Sequence, residues 1–352
     1  MRRSLFWFTT LTTLFFLDAA AHDTTVVAAP NWSAYMEQYA SWSSEQNRFE
    51  NLYVSYSRPE SFRMNLAFIQ YAQRIQRWRF NVGLMSGTYV NRNFSYESKY
   101  VRPIQSMNVS VQLDDAGKHQ MLAGISASHI GYEGPVGQDQ LLLTRSLLAE
   151  NTPYSENMLK YSVQWNKAWS SSFLVLHGWQ QISLPKRWSD MAIGTQISYS
   201  GPQLTFNHSS FLGEINRLDI PDRRYFQNIW AEWKANPRWR IVGEVDQWFT
   251  QRRNKTQQLS SSWGMSFNVS HAFNPRTRAG GRIEYIDDHV QTILRGGEFW
   301  IPKGGGYAAC FDVLFAQHGL FRLEMKQLWM RKQDAPTMSQ EVRVTGSVSW
   351  KY

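Results

Sequence analysis

The chain closes on twelve residues, Glu341 to Tyr352, that read E-V-R-V-T-G-S-V-S-W-K-Y. Val342, Val344, Val348, Trp350 and Tyr352 share one parity, with Gly346 in the gap. Glu341, Arg343, Thr345, Ser347, Ser349 and Lys351 share the other. Side chains alternate across a strand, so this segment predicts one apolar wall and one polar wall, ending on an aromatic ring. An apolar face in lipid and a polar face in a water-filled lumen is what a transmembrane β-barrel strand requires. A soluble sandwich shows the same alternation once; recurrence decides.

The pattern recurs. Segments of about ten residues alternate from Trp32–Trp42 and Phe62–Tyr71, through Gln203–Phe211, Tyr225–Trp233 and Trp239–Phe249, to Leu320–Met330 and the terminal segment, about sixteen in all. Their connections alternate in length. Short turns such as Asn166–Ser170, Ala235–Arg238 and Asn274–Arg276 carry Asn and Pro, residues that set turn dihedrals. Between them lie longer polar loops, including Ser43–Ser61, Ser86–Pro103, Trp179–Asp190 and Asp287–Gly306. Short turns on one side and long loops on the other are the asymmetry of outer-membrane barrels. The fold expected is all-β, a transmembrane antiparallel up-and-down β-barrel over 32–352. Trp32, Tyr35, Met36, Tyr39 and Trp42 also fit helical spacing, with Asn31 as an N-cap, so a helix over 31–46 is the alternative. Phe49–Tyr56 would then be the first strand.

Parity assigns an inside. Arg240 and Glu244, Arg282 and Glu284, and Arg322, Glu324 and Lys326 alternate with apolar neighbours and are expected to line the lumen. Burying such charges dry would cost several kcal/mol each, a cost that a wet lumen removes. On this reading Thr345→Arg is tolerated and Val344→Arg or Val348→Arg is not. Aromatics at strand ends are expected to form two interfacial girdles. Trp165, Trp169, Trp233, Trp239, Trp350 and Tyr352 mark the short-turn side, and Trp179, Trp248, Trp300 and Trp329 the long-loop side. The loop Ala127–Asn157, about 30 residues, far exceeds what a hairpin needs. Leu141, Leu142, Leu143, Leu147 and Leu148 are too apolar to stay in water. The loop is either an extracellular cap or an eyelet folded into the lumen. In the eyelet, the leucines pack on the wall while Arg145, Glu150 and Asn151 form the pore constriction.

At the start, Arg2 and Arg3 precede an apolar stretch, Leu5–Leu17, and then Ala19-Ala20-Ala21. This describes a secretory signal peptide over 1–21, followed by a short periplasmic segment, 22–31. Removing 1–21 takes away Arg2, Arg3 and Asp18 and lowers the formal net charge from +9 to +8. The basic residues sit singly at alternate positions rather than in runs, which argues against nucleic acid and for a charged lumen, and the net +8 tilts the expected selectivity towards anions. The lone Cys310 excludes a disulfide framework and a cysteine-based zinc site. No phosphate-binding glycine motif, metal-spaced histidine pair or G-x-S-x-G elbow occurs, and Gly304-Gly305-Gly306 reads as loop. His208 and Ser210, two apart on one strand face, are the best catalytic candidates, but a wet strand face accounts for them equally well. No cofactor or metal is implied.

From Ser128 to Tyr154 the sequence reads S-H-I-G-Y-E-G-P-V-G, then L-T-R-S-L-L-A-E-N-T-P-Y. With Asn65–Ile69, Gly83–Tyr89, His177–Gln180 and Arg224–Asn228, it resembles the β-barrel porin-2 (OmpL-like) family of Gram-negative outer membranes. Arg58-Pro59-Glu60 stands where that family's pattern has Arg-His-Asn-Glu. The resemblance implies an outer-membrane porin, and pairing of Ser33–Trp42 as the first strand. Expected partners are outer-membrane lipid and lipopolysaccharide, the barrel assembly machinery acting on the C-terminal strand, and small solutes, with a homo-oligomer left open. A passive or weakly selective diffusion channel is the first reading. A loop-plugged barrel serving as a surface binding or structural protein is the second, and an outer-membrane enzyme the third.

Overall fold

A computed structural model describes residues 29–45, 49, 52–183, 191–215, 222–252, 259–288, 303–331 and 338–352. The expected signal peptide, most of the segment 22–31, and Trp300 lie outside these residues. Sixteen strands run in chain order: β1 (Asn31–Ser43), β2 (Ser61–Ile75), β3 (Trp78–Ser86), β4 (Ile104–Gln112), β5 (His119–Ala127), β6 (Ser155–Gln164), β7 (Trp169–Leu176) and β8 (Ala192–Ser200). They continue as β9 (Leu204–Ile215), β10 (Asp222–Asn236), β11 (Trp239–Arg252), β12 (Leu259–Ala272), β13 (Thr277–Asp287), β14 (Lys303–Leu314), β15 (Gly319–Arg331) and β16 (Met338–Lys351). Each pairs antiparallel with the next, and β1 pairs with β16, from Tyr35 opposite Lys351 to Ser43 opposite Arg343. Closure leaves no edge, so every strand in hydrocarbon has its backbone groups paired. No helix among the described residues is long and apolar enough to cross a membrane. A short helix, α1 (Thr88–Asn93), lies in the loop between β3 and β4.

The terminal alternation sets β16 as expected. Val348 and Trp350 are 48% and 44% exposed on the outer face, whereas Thr345 and Ser347 are buried inside. Phe321, Leu323 and Met325 repeat this on β15, and Phe311 and Tyr307 on β14. At the short-turn end the chain reverses by one repeated device. Asn166 Oδ1 accepts the backbone N–H groups of Ala168 and Trp169, Asn236 Oδ1 those of Arg238 and Trp239, and Asn274 Oδ1 those of Arg276 and Thr277. The asparagine side chain stands in for a strand carbonyl at the reversal.

Residues 31–43 form a strand, not a helix. Tyr35 and Tyr39 point inward and Trp32, Met36 and Trp42 outward, so the helical spacing mixes rings from the two faces of one strand. Alternation runs unbroken from Tyr35 to Ser43, and the bulge opposite Glu37 and Gln38 takes its extra residue, Asn65, from β2. Two expected girdle residues are interior instead. Trp248 is fully buried, its ring 6.1 Å from Phe226, and Trp179 packs on Phe211 and Phe226 at about 5 Å between ring centroids. Outward rings nearer the long loops are those of Trp42, Phe62, Tyr225, Trp263 and Tyr307. The six aromatics expected at the short-turn side are all exposed there. Gly304-Gly305-Gly306 belongs to β14, where a Cβ on Gly304 would stand 2.1 Å from Met330 Sδ. Those glycines let two strands and their side chains approach, and no phosphate-binding loop forms.

Candidate functional site

The segment joining β5 to β6 turns into the barrel and crosses it. His129 starts the descent, with Nδ1 2.8 Å from Glu156 Oε2 on β6 and Nε2 2.9 Å from the Ser210 carbonyl on β9. Gly131 then adopts φ +86°, a conformation that favours glycine, and donates its N–H to Asn228 Oδ1 on β10. Tyr132 N–H donates to Glu244 Oε1 (3.0 Å), and further along Gly137 N–H donates to Tyr35 Oη on β1 (3.1 Å). The five leucines, 141–143, 147 and 148, are buried, with Leu142 packed among Val242, Ala308 and Cys310. Of the two arrangements open from the sequence, the chain adopts the inserted one.

Mixed charge on the wall now has a physical cause. A loop inside a barrel carries N–H and C=O groups that must find partners, and a wall charge covered by that loop must do the same. Arg322 donates to the carbonyls of Gly137 (2.7 Å), Leu142 (3.0 Å), Gln140 and Leu141 (both 3.2 Å). Two residues along β15, Glu324 accepts the N–H groups of Leu143 (2.7 Å) and Thr144 (3.0 Å) and the Thr144 hydroxyl. Lys326 follows, donating to the Arg145 carbonyl (2.9 Å) and pairing with Glu284 (2.8 Å). On β13, Arg282 donates to the Thr144 carbonyl (2.9 Å) and pairs with the loop's Glu133, while Glu284 accepts Leu147 N–H (2.6 Å). Cations take carbonyls and carboxylates take amides, in the order in which the loop presents them.

All seven wall residues expected to face inward do so, but six of them are buried under the loop: Glu244, Arg282, Glu284, Arg322, Glu324 and Lys326. The expectation of a solvated wall fails for these six, because the loop replaces the water. Arg240 alone stays half-exposed, bonded to Glu232 at 2.6 Å and to the Tyr132 hydroxyl at 3.2 Å.

Arg145 is fully buried and turns back on the loop. It donates to the carbonyls of Gly134 (2.6 Å), Leu143 (2.7 Å) and Pro135 (3.1 Å), tying its two limbs together. Burial would lower its pKa, but the oxygens of Tyr56 and Tyr154 and the carboxylates of Glu133 and Glu37 outweigh that, and the guanidinium stays charged. Glu150 accepts the N–H groups of Val54 (2.6 Å) and Ser55 (3.2 Å) from the β1–β2 loop, and burial pushes its carboxyl up to about 7 against those bonds and Arg145. Asn151 donates to the Leu147 carbonyl at 2.7 Å. The three residues hold the loop's own shape and its contact with the β1–β2 loop.

Parity did not reveal several residues that complete the plug. Asp312 pairs with both Arg278 and Arg322, and Glu37 accepts bonds from Tyr56 and Asn65. The His129–Glu156 pair joins residues 27 apart with no periodic signal. His208 and Ser210 lie on the outer face of β9, where Ser210 Oγ is bonded to Thr195 Oγ1 at 2.7 Å. Among the described residues no group of three or more His, Cys, Asp or Glu could hold a metal ion.

The loop does not cover the wall evenly. From β2 to β8 the inward residues nearer the short turns are half-exposed and small or polar: Gln70, Asn81, Asn108, Gln120, Ser162 and Ser198. Lys160 on that wall donates to the neutral Gln196 at 2.8 Å and feels the carboxylate of Glu156, further along β6, from beyond ion-pair distance. Arg74 and Arg79 are exposed there.

Solved outer-membrane channels share this architecture at 7–9% identity, a likeness of fold. The outer-membrane channel DcaP of Acinetobacter baumannii aligns at TM-score 0.67 and 9% identity, covering 92% of this chain and 97% of that one. The anion-selective porin from Comamonas acidovorans aligns at 0.60 and 7%, covering 92% and 99%. OmpT of Vibrio cholerae aligns at 0.59 and 7%, covering 95% and 99%. No curated protein matches in sequence. The sequence profile described as "Putative beta-barrel porin-2, OmpL-like" matches residues 30–349. With sixteen closed strands, an apolar outer band and a loop inserted between β5 and β6, the chain belongs to that family of porin-like outer-membrane channels.

Proposed function

We propose that the barrel conducts small solutes passively along one side of its lumen, beside the inserted loop, and that it prefers anions. The observation that carries this reading is the division of the interior. The wall formed by β10–β16 and β1 is locked to the loop through paired charges, whereas β2–β8 keeps an uncovered polar surface in its half nearer the short turns. Among the described residues Arg79 and Lys160 on that open wall have no carboxylate at ion-pair distance, Glu156 acting on Lys160 only from further off, so a net positive field is left to act on the passing solute. No reaction is assigned to the barrel.

Planar-bilayer recording tests the reading. A wild-type barrel under a salt gradient is expected to carry current with a reversal potential on the anion side, and deleting Gln138–Thr152 is expected to raise single-channel conductance. Absence of current from wild type, with large currents after the deletion, would favour a second reading, a plugged barrel that binds partners at the surface; the bonds that tie the loop to the wall motivate it. Export by the 1–21 signal peptide of a Gram-negative cell, contact with lipopolysaccharide, and insertion through the terminal strand accompany the proposal. So does a homo-oligomer: one solved structure of the Vibrio cholerae OmpT is described as a trimer form.

A further inference from the structure

At the short-turn mouth, β2 and β3 bring two arginines together with, among the described residues, no carboxylate bonded to either. Arg74 and Arg79 are direct partners in the antiparallel register. Like charges directly opposite each other destabilise a sheet, so such a pair stands out unless a third group neutralises it. Arg74 donates from Nε to the Gln76 carbonyl at 3.2 Å and from Nη2 to Gln112 Oε1 at 2.8 Å. Arg79 donates from Nε to Asn81 Oδ1 at 3.3 Å. All three acceptors are neutral, and they fix the two guanidinium groups without discharging them. Elsewhere in the lumen the pattern is the reverse: Arg278, Arg282, Arg322 and Arg343 each meet a carboxylate. Arg77, at the neighbouring turn, pairs with Asp115.

The two arginines border a cavity of about 240 Å³ that also takes in Gln112, Gln120 and Ser110. It opens on the lumen face, because Arg79 is in register with Ser110 on β4 and Gln112 with Gln120 on β5. Guanidinium groups present paired N–H donors that match the oxygens of phosphate and carboxylate, and two of them side by side match a double negative charge. The volume suits a compact molecule.

We propose that Arg74 and Arg79 form a binding subsite for small dianionic oxyanions, inorganic phosphate or a short dicarboxylate, at the short-turn mouth of the barrel. This deepens the anion-preferring porin reading and rests on it for its role in transport; the binding itself does not need a conducting lumen. A dianion entering the open half of the lumen would be held by the pair, and its exit would set the rate of passage.

The test is calorimetric titration of the folded, detergent-solubilised barrel with inorganic phosphate and, separately, with succinate. Comparing the two ligands tells phosphate from dicarboxylate preference. Wild type is expected to bind at least one of them, and Arg74→Gln/Arg79→Gln to bind it at least about tenfold more weakly, since charge-assisted bonds are lost. Lys167→Gln, which removes one charge from a turn at the same end, is expected to match wild type. The double variant gives up three exposed or half-exposed hydrogen bonds to neutral acceptors and is relieved of a repulsion. Its gel mobility without ligand should therefore be unchanged and its melting temperature close to that of wild type, which separates lost binding from misfolding. In bilayers, the bound dianion should block chloride current in wild type at lower concentration than in the double variant. Equal affinity of wild type and double variant for both ligands, or no binding of either by wild type, overturns the subsite. Binding with this mutational pattern but without current keeps the subsite and overturns the porin reading instead.

Discussion

Glu150 accepts two backbone N–H groups from the β1–β2 loop at a position water does not reach, and burial pushes its carboxyl up to about 7. Below about pH 4.5 the group is protonated whether the loop is docked or free. As pH rises from there to about 7, the free loop gives up its proton and the docked one keeps it, so docking weakens progressively, by on the order of 3 kcal/mol in total. Hydrogen exchange of Val54 and Ser55, normalised for intrinsic rates, should therefore show stronger protection at pH 5 than at pH 8. Glu150→Gln should flatten that dependence; an unchanged slope would remove Glu150 from the latch. At this scale the sequence told which residues face inward and not what they meet there. Arg322, Glu324 and Lys326 are inward by parity alone. Their partners lie about 180 residues away on a loop whose path no local pattern encodes.

The strands themselves were legible because their period of two is local and repeats. The ends were less so: β10, β11, β12 and β16 each run 14 or 15 residues, beyond the alternating core of about ten that spans lipid. Ladder hydrogen bonds continue into polar sequence above the membrane, where hydropathy gives no signal. Trp248 misled for a related reason, since an aromatic near a strand end suits a girdle or a buried stack equally well by sequence, and its parity decides for the stack. On β16 the structure sharpens one expectation and reverses another. Val344→Arg places a charge on the lipid face near the strand's middle and should cost about 2–4 kcal/mol of barrel stability in a reversible unfolding titration. Thr345→Arg, benign if the lumen were wet, enters a site where Thr345 is buried and bonded to Ser41 at 3.0 Å. It should leave the barrel folded by gel mobility yet expel the inserted loop, exposing it to protease. Loss of barrel mobility in Thr345→Arg and none in Val344→Arg would mean the two faces are exchanged.

For the whole molecule, closure of β1 on β16 predicts resistance to detergent, and unheated protein should migrate differently from boiled protein on a detergent gel. The closed barrel was legible as a count of strands; the divided interior was not, because it depends on which wall the loop chooses. That choice has a consequence in time. The loop leaves the chain after β5, but the groups that hold it belong to β9, β10, β11, β13 and β15, and to β1 across the seam. Its berth does not exist until the last strands have been laid down and the ring has shut, and contacts so far apart in sequence form late. During assembly the growing sheet must therefore carry about thirty residues of leucine-rich chain with nowhere to put them. The hollow ring comes first and its filling second, so in a refolding time course the gel shift should precede protease resistance of residues 128–154. An intermediate caught between the two would be a barrel of the same strands with a wide, unobstructed bore, a transient hole in the membrane that only the loop's arrival narrows.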